Sequence, residues 1–192
     1  DGRSRMHHLI LRKPGQWKLP DPMLQKYDDN IEKHLKKIRR TWGQDLNLKY
    51  FQYLAAIFAE IHLDHYFRDP KEFIKILNNW NKNRGSKESI PRSIIENPKL
   101  AYWMATGSGK TLIMHLNLLQ FQEYNKGPHQ LDYDNIILVT SDDNMSRQHK
   151  DDFQRSGIAA DLFDGITRGY FHTDKDKVKI ISIHKLKLPG EK

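Results

Sequence analysis

Apolar residues in the first half of the chain recur at helical spacing. Residues 1–30 are rich in proline and show little periodicity, so we expect an irregular lead-in there. From 27 to 40 the apolar positions are three or four residues apart among charged side chains, which predicts an amphipathic helix. These positions are Ile31, Leu35 and Ile38.

Two further helices are predicted before a polar segment. Residues 46–67 form the most hydrophobic long stretch, and their length and alanine content favour a buried helix over a strand. Another helix is expected over 71–80, because Asp69 can cap its N-terminus and Pro70 suits the first helical position. Residues 81–91 are polar and aperiodic and predict a surface loop.

The second half of the chain alternates between short apolar runs and helical patterns. Strands are predicted at 100–105, 136–139 and 178–183, with a shorter one near 159–163, and helices at 111–124 and 144–155. Repeated strand, loop and helix units are typical of a parallel sheet joined by crossover helices. The sequence therefore predicts an α/β fold that is preceded by a helical N-terminal region.

Charge and composition narrow the class of protein. The chain has 192 residues, a net charge of +8 and no cysteine, which excludes disulfides, thiolate zinc sites and cysteine nucleophiles. No apolar run reaches the length of a membrane span, so we expect a soluble, cytoplasmic protein. Residues 1–50 hold 12 of the 32 basic residues against 6 of the 24 acidic ones. Such a surplus suits either a polyanionic partner or a solvated helix face.

A glycine-rich loop between a predicted strand and a predicted helix points to phosphate binding. The segment Met104-Ala-Thr-Gly-Ser-Gly-Lys-Thr111 ends in the Gly-Lys-Thr of a phosphate loop. Gly107 and Gly109 let backbone N–H groups turn towards phosphate oxygens, and the following helix directs its positive end at the anion. Lys110 can reach the β- and γ-phosphates, and the Thr111 hydroxyl can ligate Mg²⁺. We therefore predict binding of a nucleotide with Mg²⁺.

This loop resembles that of superfamily 2 helicases, the DEAD/DEAH-box proteins, and above all the ATPase region of the type III restriction enzyme Res subunit. Met104 replaces the first glycine of the strict pattern, as is common in that family. The resemblance implies a partial RecA-like lobe over 93–192. It also implies a helical segment with a glutamine motif and an insertion over 46–92, after an irregular and basic helical region over 1–45.

Further segments follow the family's order along the chain. Gln52, in Tyr50-Phe-Gln-Tyr-Leu-Ala-Ala56, is similar to the glutamine that contacts adenine, although the residue type also suits a hydrogen bond to backbone. The strand at 136–139 and the residues after it resemble motif Ia, and 179–186 resembles the segment before motif II. The resemblance implies nucleotide contacts from Thr106, Gly107, Ser108, Gly109, Lys110 and Thr111. It implies contacts to the DNA backbone from Thr140, Ser141, Arg147 and Gln148.

The acidic motif that hydrolysis requires has one candidate. Asp142 and Asp143 follow an apolar strand, but in the family's order this position belongs to motif Ia, so we predict loop or N-cap roles and keep Mg²⁺ ligation as the alternative. His62 and His65 lack a third metal ligand, which favours ordinary helix positions. We expect this chain to be the N-terminal part of a larger motor protein, and we expect that part to end before motif II.

Three functions are compatible with these residues. The first is the motor lobe of an ATP-dependent DNA helicase or translocase of restriction or defence type, which the resemblance associates with a nuclease or methyltransferase subunit. We expect such a piece to be inactive alone. The second is a nucleotide-sensing binding module, and the third is a small P-loop NTPase in which Asp142 ligates Mg²⁺.

Overall fold

The computed structural model describes residues 21–42, 46–91, 93, 95–96, 98–163 and 174–186. In these ranges the chain forms helices α1 (Asp21–Trp42), α2 (Tyr50–Arg68), α3 (Pro70–Asn83), α4 (Lys110–Tyr124) and α5 (Asp143–Arg155). The strands are β1 (Ile136–Thr140), β2 (Ala160–Leu162) and β3 (Val178–Ser182), and a short 3₁₀ helix spans Ile183–Lys185. None of the helices described is long and apolar enough to cross a membrane.

The described residues group into two compact units. The first comprises those within Asp1–His34 and Asn47–Leu131, and the second those within Leu35–Leu46 and Asp132–Lys192. The three-part division into 1–45, 46–92 and 93–192 remains a prediction.

The first unit is a helical assembly around α2. Helix α2 packs against α3 and α4, and an apolar cluster of Leu63, Tyr66, Phe67 and Phe73 fills the space between them. Asp69 accepts hydrogen bonds from Lys71 N (3.1 Å) and Glu72 N (3.0 Å), so it is the N-cap of α3 as predicted, with Pro70 in the first turn.

The second unit is a three-stranded parallel sheet covered by a helix. The strand order is β1-β3-β2, with Ile136 opposite Val178 and Ala160 also opposite Val178. All five residues of the central strand β3 are buried, as expected for a parallel strand with neighbours on both sides. Helix α5 packs against all three strands. The predicted α/β class with a parallel sheet is confirmed, and it is consistent with a partial RecA-like domain.

Two local predictions were wrong. The irregular lead-in was expected to extend to residue 30, but α1 begins at Asp21, where an acidic residue followed by Pro22 makes a favourable first helical turn. The strand expected at 100–105 is absent, since residues 98–105 carry no regular secondary structure. A strand needs a neighbour that shares its backbone hydrogen bonds, and the described sheet contains only β1, β3 and β2.

Candidate phosphate-binding site

The glycine-rich loop ends at an uncapped helix N-terminus. Gly109 is the N-cap of the 15-residue helix α4, and no side chain there accepts a hydrogen bond from the first turn. The first helical hydrogen bond runs from Ile113 N to Gly109 O (3.2 Å). In the described part of the chain the N–H groups of Lys110, Thr111 and Leu112 therefore have no acceptor. Unpaired N–H groups at a helix N-terminus favour an anion.

The loop's two glycines both adopt left-handed backbone conformations. Gly107 has φ +73° and Gly109 has φ +81°, a region that residues with a Cβ avoid. A Cβ on Gly107 would meet nothing within 4 Å, whereas one on Gly109 would lie 2.5 Å from Gln52 Nε2. The glycine at 107 is thus required by backbone conformation alone, and the glycine at 109 by conformation and by close packing.

Two side chains at the loop, those of Lys110 and Ser108, could interact with a bound ligand. The ammonium group of Lys110 is exposed and donates to the carbonyls of Met104 (3.1 Å) and Ala105 (2.9 Å). It therefore lies across the loop's own carbonyl groups, from which a phosphate would draw it by charge. Ser108 Oγ is buried and has no hydrogen-bond partner among the described residues. An unpaired buried hydroxyl beside unpaired N–H groups fits a polar ligand.

Gln52 connects helix α2 to this loop. The side chain is 6% exposed. Its Oε1 accepts from Lys49 N (2.8 Å), and its Nε2 donates to Ser108 O (2.8 Å). The resemblance implies a contact between Gln52 and adenine, with a hydrogen bond to backbone as the alternative. In the structure it lies next to the predicted loop, and each end of its amide is bonded to the protein backbone.

A second polar network lies deeper in the first unit and was not anticipated. Glu60 is fully buried. It accepts hydrogen bonds from Asn30 Nδ2 (2.9 Å to each oxygen), Gln120 Nε2 (2.6 Å) and Tyr124 OH (2.7 Å). Burial raises the pKa of Glu60 above its ordinary value, although these donors oppose the shift. A carboxylate within an otherwise apolar helix pattern was the only sequence signal for this network.

The residues predicted to contact DNA lie around the start of α5. Thr140 is 5% exposed, and its hydroxyl is 2.6 Å from Ser146 Oγ. Ser141, Arg147 and Gln148 are exposed. The four residues therefore differ in the access that they offer to a ligand.

Both aspartates after β1 are engaged with the protein. Asp142 accepts from Met145 N (2.9 Å) and is the N-cap of α5, as predicted. This N–H group is the main reason why the pKa of Asp142 is lowered. Asp143 is 2.9 Å from Lys185 Nζ, whose hydrogen bond lowers the pKa of Asp143. Among the described residues no group of three His, Asp or Glu side chains could hold a metal ion.

Comparison with known proteins places the chain in a family. A family model described as the type III restriction enzyme, res subunit, matches residues 67–191. The chain belongs to this family. Its domain is of the superfamily 2 helicase type, and the match supports a helicase-like ATPase of restriction type. The match includes the glycine-rich loop, the three described strands and α5. No curated protein and no solved structure gives a match.

Proposed function

We propose that this chain provides the ATP-binding part of the motor lobe of an ATP-dependent DNA helicase or translocase of restriction type. The observation that carries the proposal is the uncapped N-terminus of α4, with unpaired N–H groups directly after a loop containing Gly107 and Gly109. Membership of the Res subunit family supports it.

The nucleotide is held through its phosphates. The backbone N–H groups of Gly107 and Gly109 and of the first turn of α4 donate to phosphate oxygens, whereas the Ser108 N–H donates to Ala105 O (3.2 Å) within the loop. Lys110 would leave the carbonyls of Met104 and Ala105 and pair with the β- and γ-phosphates, and the Thr111 hydroxyl would ligate Mg²⁺. Mg²⁺ bound there would neutralise phosphate charge. Gln52 borders the loop; a contact with adenine, which the resemblance implies, would require its amide to leave Lys49 N or Ser108 O.

DNA is contacted at the carboxyl end of β1. We infer that exposed Ser141, Arg147 and Gln148 bind phosphates of the DNA backbone, which makes binding independent of sequence and sensitive to salt. Thr140 is buried, and in this proposal it contributes by holding the turn between β1 and α5 through Ser146. A nuclease or methyltransferase subunit is the class of partner protein that the resemblance suggests.

Hydrolysis requires more than these residues. A carboxylate must hold Mg²⁺ and orient water, and a second lobe must supply an arginine. Asp142 caps α5 and Asp143 pairs with Lys185, so each carboxylate already has a role in the fold. We therefore expect the chain alone to bind ATP with Mg²⁺ and to hydrolyse it poorly or not at all.

Calorimetry with ATP and Mg²⁺ tests this proposal. Lys110→Ala should abolish or strongly weaken binding, whereas Lys126→Ala, which removes another exposed lysine of the same unit, should leave the affinity unchanged. Phosphate release measured on the same samples should stay near background. Equal binding by wild type and Lys110→Ala would contradict the proposal. Rapid turnover would favour the alternative in which Asp142 ligates Mg²⁺.

A further inference from the structure

The Gln52 side chain spans two backbone segments. Its Oε1 accepts from Lys49 N at the start of α2, and its Nε2 donates to Ser108 O in the phosphate loop, both at 2.8 Å. These two bonds attach the loop to the N-terminus of a helix that packs against α4. Because Gln52 is almost completely buried, water competes little for either bond.

The bond to Ser108 O determines where the next N–H group points. The Ser108–Gly109 peptide is trans, and in a trans peptide the C=O and the following N–H point in opposite directions. Holding Ser108 O towards Gln52 therefore directs the Gly109 N–H away from it. That N–H has no acceptor among the described residues.

Gln52 also occupies the space that a side chain at position 109 would need. A Cβ on Gly109 would lie 2.5 Å from Gln52 Nε2, whereas the same atom on Gly107 meets nothing. The Gln52 side chain thus lies beside the end of the loop at which α4 begins. Position 109 therefore favours glycine for two reasons, the left-handed φ of +81° and the nearby Gln52 amide.

We propose that Gln52 is a positioning residue of the phosphate loop, which orients the Ser108–Gly109 peptide so that the Gly109 N–H faces the bound phosphates. This inference rests on the proposed nucleotide binding. In this role Gln52 contributes equally to the binding of nucleotides with any base, because the side chain acts through a peptide that touches only phosphate. A contact with adenine would instead make the contribution specific for ATP.

Calorimetry with three ligands separates the two roles. ATP, GTP and inorganic tripolyphosphate, each with Mg²⁺, should bind Gln52→Ala more weakly than wild type by a common factor of about ten, the value of one buried hydrogen bond. Gln120→Ala is the matched control, since this buried glutamine bonds Ala56 O and Glu60 but not the loop. It should lower the melting temperature and leave the three affinities of the folded protein unchanged. A loss confined to ATP, or no loss, would overturn the inference.

Gln52→Glu distinguishes positioning from support of the fold. Glutamate keeps an acceptor for Lys49 N and suits the first turn of a helix, but it cannot donate to Ser108 O. We expect a melting temperature closer to wild type than that of Gln52→Ala, together with binding of all three ligands at least as weak as for Gln52→Ala. If affinity recovers along with stability, Gln52 serves the fold only and the inference is wrong.

A double-mutant cycle tests the same contact without any ligand. Gly109→Ala should lower the melting temperature less in the Gln52→Ala background than in wild type, because removing Gln52 relieves the close approach to the new Cβ and leaves only the backbone strain. Additive changes would overturn the inference. If wild type binds none of the three ligands, the proposed function fails, and this cycle still decides whether Gln52 packs against position 109.

Discussion

Glu60 offers the sharpest test of the packing that supports α4. Its carboxylate is fully buried on α2 and accepts from Asn30 on α1 and from Gln120 and Tyr124 on α4. One side chain therefore joins three helices of the first unit, including the one that begins at the glycine-rich loop. We consider two replacements, Glu60→Ala and Glu60→Gln.

The two replacements differ in what they leave behind. In Glu60→Ala all three donors lose this acceptor, although Gln120 Nε2 keeps its bond to Ala56 O (3.0 Å) and Tyr124 is only half-buried. Because the bonds are charge-assisted and only some donors can reach water, we expect a loss of about 3 to 5 kcal/mol in the free energy of unfolding. Glutamine keeps one acceptor and the same shape, so Glu60→Gln should cost about 1 kcal/mol.

The pH dependence of the free energy of unfolding tests the same site independently. Because burial raises the pKa of Glu60 in the folded protein, its contribution to stability is complete below the pKa of the unfolded chain and is lost as the pH rises through the folded-state pKa. Glutamine does not titrate, so Glu60→Gln should remove this part of the pH dependence.

Urea unfolding followed by circular dichroism, over a range of pH, measures both effects. Equal losses in the free energy of unfolding for Glu60→Ala and Glu60→Gln would contradict the role of the Glu60 hydrogen bonds. A fall in stability above the ordinary glutamate range that Glu60→Gln shares with wild type would contradict the titration of Glu60.

Three further changes test other parts of the molecule. Asp69→Ala should lower the free energy of unfolding by about 1 kcal/mol because it removes the cap of α3, while Asp69→Asn should restore most of that loss; equal melting temperatures for all three proteins would contradict the cap. Phe153→Ala should lower the free energy of unfolding by about 3 to 5 kcal/mol, since this ring is 2% exposed in the core of the second unit. A loss in urea unfolding no larger than that of a substitution at an exposed position would contradict this. Arg147→Ala should weaken binding to DNA of any sequence and lower the slope of log affinity against log salt by about one, whereas Arg84→Ala should not; an unchanged slope for Arg147→Ala would argue against the phosphate contact.

Regular elements with strong local signals were predictable from the sequence. The Asp69-Pro70 pair marks the boundary between α2 and α3, and the run Ile136 to Val139 marks β1, because capping chemistry and apolar periodicity are local properties. The start of α1 was misplaced since the proline content of the preceding residues outweighed the favourable Asp21-Pro22 pair. The run at 100–105 shows the limit of such patterns, since a strand also depends on a neighbour that no local pattern specifies.

The residues of the candidate loop could be named from the sequence, but the contacts that join the loop to the rest of the fold could not. The order of residues in Thr106 to Thr111 indicates a phosphate loop, because the chemistry follows from adjacent residue types. The bond from Gln52 to Ser108 O joins residues 56 positions apart, and the donors around Glu60 come from two other helices. Contacts of this kind depend on tertiary packing, which a single sequence does not reveal.

The backbone amide signals of the loop provide the most direct test of nucleotide binding. On addition of ATP and Mg²⁺ to the ¹⁵N-labelled chain, we expect the largest shifts at Gly107, Ser108, Gly109 and Lys110, with saturation, and none of these shifts in Lys110→Ala. Shifts that are absent, or that are concentrated away from residues 106–111, would contradict the account.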